Sequence, residues 1–109
     1  MEGSMNKRIK KLWINALRSG KFIQGRRKLR SGRKPNNRHC CLGVLEELAV
    51  QAGVIKSFRS TDAVLCDKVM KWAGLSKNNP KLGRKEWAIG LNDSGKSFNF
   101  IATRIEKWL

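Results

Sequence analysis

Between Arg26 and Arg38 the chain sets seven cations in thirteen residues: Arg26, Arg27, Lys28, Arg30, Arg33, Lys34 and Arg38. Gly25, Gly32 and Pro35 break up the run. Charges at that density repel one another and are costly to desolvate without partners, so the stretch is expected to stay out of the core as a basic loop over 25–38. The core must then come from the residues on either side. Of a formal charge of +16 over 109 residues, +12 falls within the first 39 and only +4 in the remaining 70.

A surface this basic attracts polyanions, which makes nucleic acid, DNA or RNA, the first partner to expect and an anionic membrane the second. The length suits one domain. No apolar run approaches the ~20 residues of a spanning helix, and the N-terminus lacks the apolar stretch of a signal peptide, so a cytoplasmic location without a membrane partner is expected. Met1-Glu2-Gly3-Ser4 ahead of Met5 reads as an added leader, leaving residues 5–109 as a single small domain.

Four segments carry the helical period. In the first, Ile9, Leu12, Trp13, Ala16 and Leu17 share a face, Lys7, Lys10, Lys11 and Arg18 cover the other, and Gly20 supplies the stop. Cys41, Val44, Leu45, Leu48, Ala49 and Ala52 form the most apolar stripe, ended by Gly53 and expected to be central. A third helix is expected after Ser60 or Thr61 as N-cap, with Asp62 in its first turn, Leu65, Val69, Trp72 and Ala73 on its stripe and Gly74 closing it. The fourth starts at Ser97 and faces inward with Phe98, Ile101, Ala102, Ile105 and Leu109. Two weaker segments suggest strand: Phe22 to Leu29, as one arm of a hairpin turning near Ser31-Gly32, and Glu86 to Leu91. The expected fold is mainly α, or α+β if those strands form. It is a compact four-helix domain with a small β hairpin or sheet, packed around Leu12, Trp13, Leu17, Val44, Leu45, Leu48, Val69, Trp72, Ile101 and Ile105.

Several constellations bear on chemistry. The Arg-rich segment suits phosphate, because guanidinium groups grip it bidentately and stay charged, yet such contacts position a protein without reading bases. Cys40 and Cys41 beside Arg38 and His39 would gain thiolate character at a helix N-terminus. Against that, free Cys is among the most buried residue types, and core packing is the expectation for Cys41, Cys66 and Cys40. Neither disulfide nor zinc spacing is present, and no metal or other cofactor is expected. Gly90 to Ser97 fits G-x₄-G-K-[ST], but about a dozen residues follow the Lys, leaving no room for the βαβ units of a nucleotide site, so the match reads as chance. The helix starting at Ser97 also resembles the second helix of helix-turn-helix units, over a short and common stretch. Trp13 and Trp72 sit on apolar stripes, whereas Trp87 and Trp108 are the candidates for surface contacts. Asp62, Asp67, Glu46 and Glu47 look like helix-surface and capping residues, no catalytic carboxylate pair stands out, and enzyme activity is not expected.

Ala16-Leu17-Arg18-Ser19-Gly20-Lys21-Phe22 with Gln24-Gly25, Cys40-Cys41-Leu42-Gly43-Val44-Leu45, Trp72-Ala73-Gly74-Leu75, Asn79-Pro80, and Leu91-Asn92-Asp93 through Ser97-Phe98 to Ile101-Ala102 and Ile105-Glu106 occur in that order. Together they resemble a group of small bacteriophage and prophage proteins of unassigned activity, over nearly the whole chain from about Met5. The segment Arg26 to Arg38 is more basic than is usual for that group. The expected function is a non-enzymatic, phage-encoded protein that binds nucleic acid through phosphate contacts from Arg26, Arg27, Lys28, Arg30, Arg33, Lys34 and Arg38 and from Lys7, Lys10 and Lys11 on the first helix. A phage origin also implies an alternative: an inhibitor of a host protein or defence complex that engages an acidic surface or a nucleic-acid channel.

Overall fold

Asn6 starts the first helix by accepting the Ile9 N–H on its Oδ1 at 3.0 Å, which satisfies one of the donors a helix N-terminus leaves free. The computed structural model describes residues 5–58 and 62–109, and in it α1 spans Lys7–Arg18. Its buried face is Ile9, Trp13, Ile14 and Leu17, while Leu12 is 42% exposed and leaves the expected core. The stripe turns toward Ile14 because α1 is covered by two helices, α2 (Cys41–Gln51) and α5 (Phe98–Trp108). Trp13 is fully buried and its Nε1 donates to the Cys41 carbonyl at 2.9 Å.

The second helix is central, as its composition predicts. Cys41, Leu42, Gly43, Val44, Leu45, Glu46 and Ala49 are all buried, the burial all round that marks a helix enclosed by others. It touches α1, α3 (Asp67–Ala73), α4 (Ala88–Asp93) and the sheet. Leu48 and Trp72, expected in the core, are half-buried at its margin.

Among the described residues there are five helices, one more than expected, and the extra one replaces the strand predicted at Glu86 to Leu91. Helix α4 begins at Ala88 because Asn79 accepts the Ile89 N–H on its Oδ1 at 2.9 Å and the Pro80 carbonyl accepts the Ala88 N–H at 2.9 Å. Both capping groups come from a distant turn. Only an isolated antiparallel bridge, Lys81 to Trp87, survives of the strand. The third helix starts at Asp67, later than predicted; the proposed caps Ser60 and Thr61 lie outside the described residues, as does the leader 1–4. Asp62 is not helical, and its carbonyl accepts the Leu29 N–H at 2.7 Å. Asp67 takes its place as the acid in the first turn, and Gly74, at φ 73°, closes the helix.

The basic segment contains structure. Strands β1 (Ile23–Gln24), β2 (Arg30–Ser31) and β3 (Arg38–His39) form a mixed sheet in the order β1-β3-β2, with β1 parallel and β2 antiparallel to β3. The hairpin therefore joins β2 to β3 across residues 32–37, and the arm 22–29 pairs with its far strand rather than across the turn. The segment expected to stay out of the core lies largely at the surface, but Leu29 within it is buried to 1% exposure. One neutral side chain within the run seats the whole segment.

Helix α5 starts at Ser97 as predicted, its Oγ accepting the Phe100 N–H at 3.1 Å. Ser97→Ala is expected to cost about 1 kcal/mol in urea unfolding, the usual worth of such a cap; an unchanged midpoint would show that packing of Phe98 and Ile101 alone sets the helix start. Among the described residues no helix is long and apolar enough to cross a membrane.

Candidate nucleic-acid interface

The basic segment leaves α1 through β1 and meets a clamp built from Asn92 and Asp93 at the end of α4. Asn92 is fully buried. Its Oδ1 accepts the Cys41 N–H and the Gln24 side-chain amide, each at 3.0 Å, and its Nδ2 donates to the Gly25 carbonyl at 2.7 Å. Cys41 N–H is one of the free donors at the start of α2, so one side chain ties three parts of the chain together. Next to it, the Asp93 carboxylate accepts the Arg27 backbone N–H at 2.9 Å. Arg27 adopts φ 70°, a left-handed conformation uncommon outside glycine, held here by a charge-assisted bond. Further along, Leu29 is pinned between Asp62 and Cys40, its carbonyl accepting the Cys40 N–H at 3.2 Å.

These anchors sort the predicted phosphate ligands. Arg26, Arg27, Lys28, Arg33, Lys34 and Arg38 are exposed and, among the described residues, form no ion pair. Arg30 is committed elsewhere: its guanidinium lies 4.7 Å from the Phe58 ring centroid and 3.6 Å from the Glu47 carboxylate, which also meets His39 Nε2 at 3.1 Å. On α1, Lys7 and Lys11 are exposed, whereas Lys10 is half-buried and its Nζ donates to the Glu106 carbonyl at 3.0 Å. The set narrows to eight side chains, six of them on one anchored segment.

The cysteines take other roles. Cys40 and Cys41 are buried, and burial pushes both thiols up, Cys41 far above the ordinary value. Removal of the thiolate from water outweighs the helix N-terminus, which favours a packing role for both over a nucleophilic one. Cys40 instead caps α2, its sulfur accepting the Gly43 N–H at 3.4 Å. Cys66, expected in the core, is exposed. Among the described residues no group of three or more His, Cys, Asp or Glu is placed to hold a metal ion. The Gly90 to Ser97 stretch forms the end of α4, a turn and the cap of α5.

Glu46 is not the surface residue its sequence suggests. It is fully buried, and its Oε1 accepts the Cys66 N–H at 3.0 Å. Desolvation raises its pKa above the ordinary carboxylate value, with the Cys66 hydrogen bonds opposing the rise. A folded-state pKa above the unfolded one means that Glu46 favours the fold below the unfolded pKa and loses that contribution as pH rises through the folded pKa. Glu46→Gln keeps an acceptor for Cys66 and removes the titration. Its stability relative to wild type is expected to rise as pH goes from below the carboxylate range to neutrality; a pH-independent difference in urea midpoints would contradict this.

Two further cation clusters lie outside the set expected from sequence. Trp87, anticipated as a surface contact, is 39% exposed with Lys77 and Lys81 over its ring, and Phe100 is 37% exposed with Lys96 and Arg104 over its own. Phe100 and Arg104 lie four residues apart on α5, a spacing that brings side chains together on a helix and is a signal present in the sequence, and Lys96 comes just before the Ser97 cap. Lys77 and Lys81 reach Trp87 only through the turn that precedes α4. Trp108, the other anticipated contact, is half-buried.

No curated protein and no solved structure matches the chain. A family model does match, over residues 5–109, under the description Domain of unknown function (DUF8296). With nearly its whole length aligned to that model, the chain belongs to this family.

Proposed function

We propose that this is a non-enzymatic, phage-encoded protein that binds nucleic acid through phosphate contacts in the cytoplasm of its bacterial host. The observation that carries the reading is the exposed set Arg26, Arg27, Lys28, Arg33, Lys34 and Arg38, free of acidic partners among the described residues, on a segment fixed by Asn92, Asp93 and Leu29. With the backbone held in place, less chain entropy is lost on binding, and the mutual repulsion of the cations is relieved by a polyanion. The exposed Lys7 and Lys11 extend the charge along α1.

Binding of labelled DNA and RNA across a salt series tests this. Log K is expected to fall linearly with log salt, and changing Arg26, Lys28, Arg33 and Lys34 together to Ala should reduce the slope by about 3, at roughly 0.7–0.9 for each phosphate no longer neutralised. Arg27 stays in place because its backbone holds the clamp, and Arg30 because it is paired with Glu47. No shift of free DNA or RNA at moderate salt, with a host protein retained after nuclease treatment, would overturn the reading in favour of an inhibitor of that host factor.

A further inference from the structure

Among the described residues only two aromatic side chains are exposed, Trp87 and Phe100, and each has two cations over its ring. Lys77 Nζ and Lys81 Nζ lie 5.1 and 5.4 Å from the Trp87 centroid. Lys96 Nζ and the Arg104 guanidinium carbon lie 5.0 and 5.3 Å from that of Phe100. One cation over an aromatic face is favourable, but a second brings like charges together at a ring still open to solvent. At Phe100 the Glu86 carboxylate already offsets Arg104, at 2.9 Å, so the repulsion is left at Trp87; an anion between Lys77 and Lys81 resolves it there, and a flat apolar group beside the anion covers the ring.

The Phe100 cluster adjoins the basic segment, and Glu86 connects it through the chain to Trp87. The Arg26 guanidinium lies against Gly95, where an added Cβ would meet it at 3.2 Å. Lys96 follows and reaches Phe100. Arg104, over the same ring, pairs with Glu86 at 2.9 Å, and Glu86 adjoins Trp87 in the chain. This pairing neutralises the acid that would otherwise repel a phosphate midway. Trp87 itself is held by its bridge to Lys81 and by the 2.8 Å bond from Leu82 N–H to the Glu86 carbonyl, so the ring is set on a fixed turn. Beside it lies a groove of about 440 Å³ with Met70, Ser76, Asn78 and Asp67 on its walls.

We infer that the strip running from Arg26 through Lys96 and Phe100 to Trp87 is a track for single-stranded nucleic acid, with unpaired bases stacked on the two rings and phosphates held by Arg26, Lys77, Lys81 and Lys96. Alternation of cations and aromatic faces is the physical signature of single-strand binding, because every base has a π-face and a duplex keeps its faces stacked inside. The inference rests on the nucleic-acid reading above and narrows it to strands with unpaired bases.

The test compares three labelled probes of equal length: oligothymidine, the same backbone with abasic sites, and a duplex. The wild type is expected to bind oligothymidine at least tenfold more tightly than the abasic strand, the range of one base–aromatic stack. Trp87→Leu and Phe100→Leu should each lose about tenfold on oligothymidine alone, with the salt slope retained, and Trp87→Phe should recover most of the loss. Intrinsic tryptophan fluorescence should be quenched by oligothymidine and not by the abasic strand. Thermal melting checks that the variants fold, and the quenching comparison on wild type needs no variant at all. Equal affinity for all three probes, with unaltered binding by both leucine variants, overturns the track while leaving phosphate binding standing. Absence of binding to any probe overturns both.

Discussion

Gly43→Ala is expected to cost about 3 kcal/mol or more, read as a lowered midpoint in urea unfolding. On helix propensity alone the substitution should help by about 1 kcal/mol, since Gly43 lies inside α2 with helical neighbours on both sides. Sterics decide otherwise. A Cβ at this position would overlap the carbonyl of Leu29 and approach its Cα at 3.0 Å. Leu29 has little freedom to retreat: its N–H bonds to Asp62, its carbonyl to Cys40, and its side chain is in the core. Gly90→Ala supplies the control. Gly90 is also helical, an added Cβ there meets nothing within 4 Å, and the change should be neutral or stabilising by up to about 1 kcal/mol. If both substitutions stabilise alike, the basic segment does not press on α2 in solution.

Asn92→Ala should be comparably severe, at about 2–6 kcal/mol. The substitution leaves the buried Cys41 N–H and Gly25 carbonyl without the partners they have at 3.0 and 2.7 Å, and each buried polar group left unsatisfied costs roughly 1–3 kcal/mol. A domain of this size holds roughly 5–15 kcal/mol in all, so little would remain. The isosteric Asn92→Asp separates hydrogen bonding from shape. At neutral pH it places a carboxylate in a fully buried site, next to Asp93 and against the Gly25 carbonyl, and should be as damaging as Ala. In acid the carboxyl regains a proton to donate, and the gap to wild type should narrow. Urea midpoints of the three proteins at two pH values would show it; a gap that does not change with pH would mean that the Gly25 hydrogen bond contributes nothing.

Both positions lie within the ordered motifs of the sequence, and for both the structure supplies the reason. Gly43 sits in Cys40-Cys41-Leu42-Gly43-Val44-Leu45 and Asn92 in Leu91-Asn92-Asp93; together they press and tie the basic segment against α2 and α4. The sequence marks them as features without showing that they serve one purpose. Gly43 packs on Leu29, and Asn92 bonds to Gln24 and Gly25, partners about 14 and 67 positions away. Local pattern carries no information at such separations. Exposed and committed cations are equally illegible: Lys10 and Arg30 look like their neighbours in the sequence, and only the arrival of Glu106, Glu47 and Phe58 removes them from the candidate surface.

What the sequence determined by itself was whatever depends on near neighbours. The helices α1, α2 and α5, the Ser97 cap and the concentration of charge before residue 40 follow from spacing and side-chain chemistry within a few turns, although packing shifted which residues of α1 and α2 face inward. Tertiary structure decided the rest. It made a helix of Ala88–Asp93 by supplying Asn79 and Pro80 as caps, and it formed a sheet from two-residue strands that have no periodicity to read. It also buried Glu46 and brought Lys77 and Lys81 onto Trp87. Each of these outcomes depends on a group supplied from another part of the fold, because a buried polar atom or a short strand is stable only once its partner has arrived.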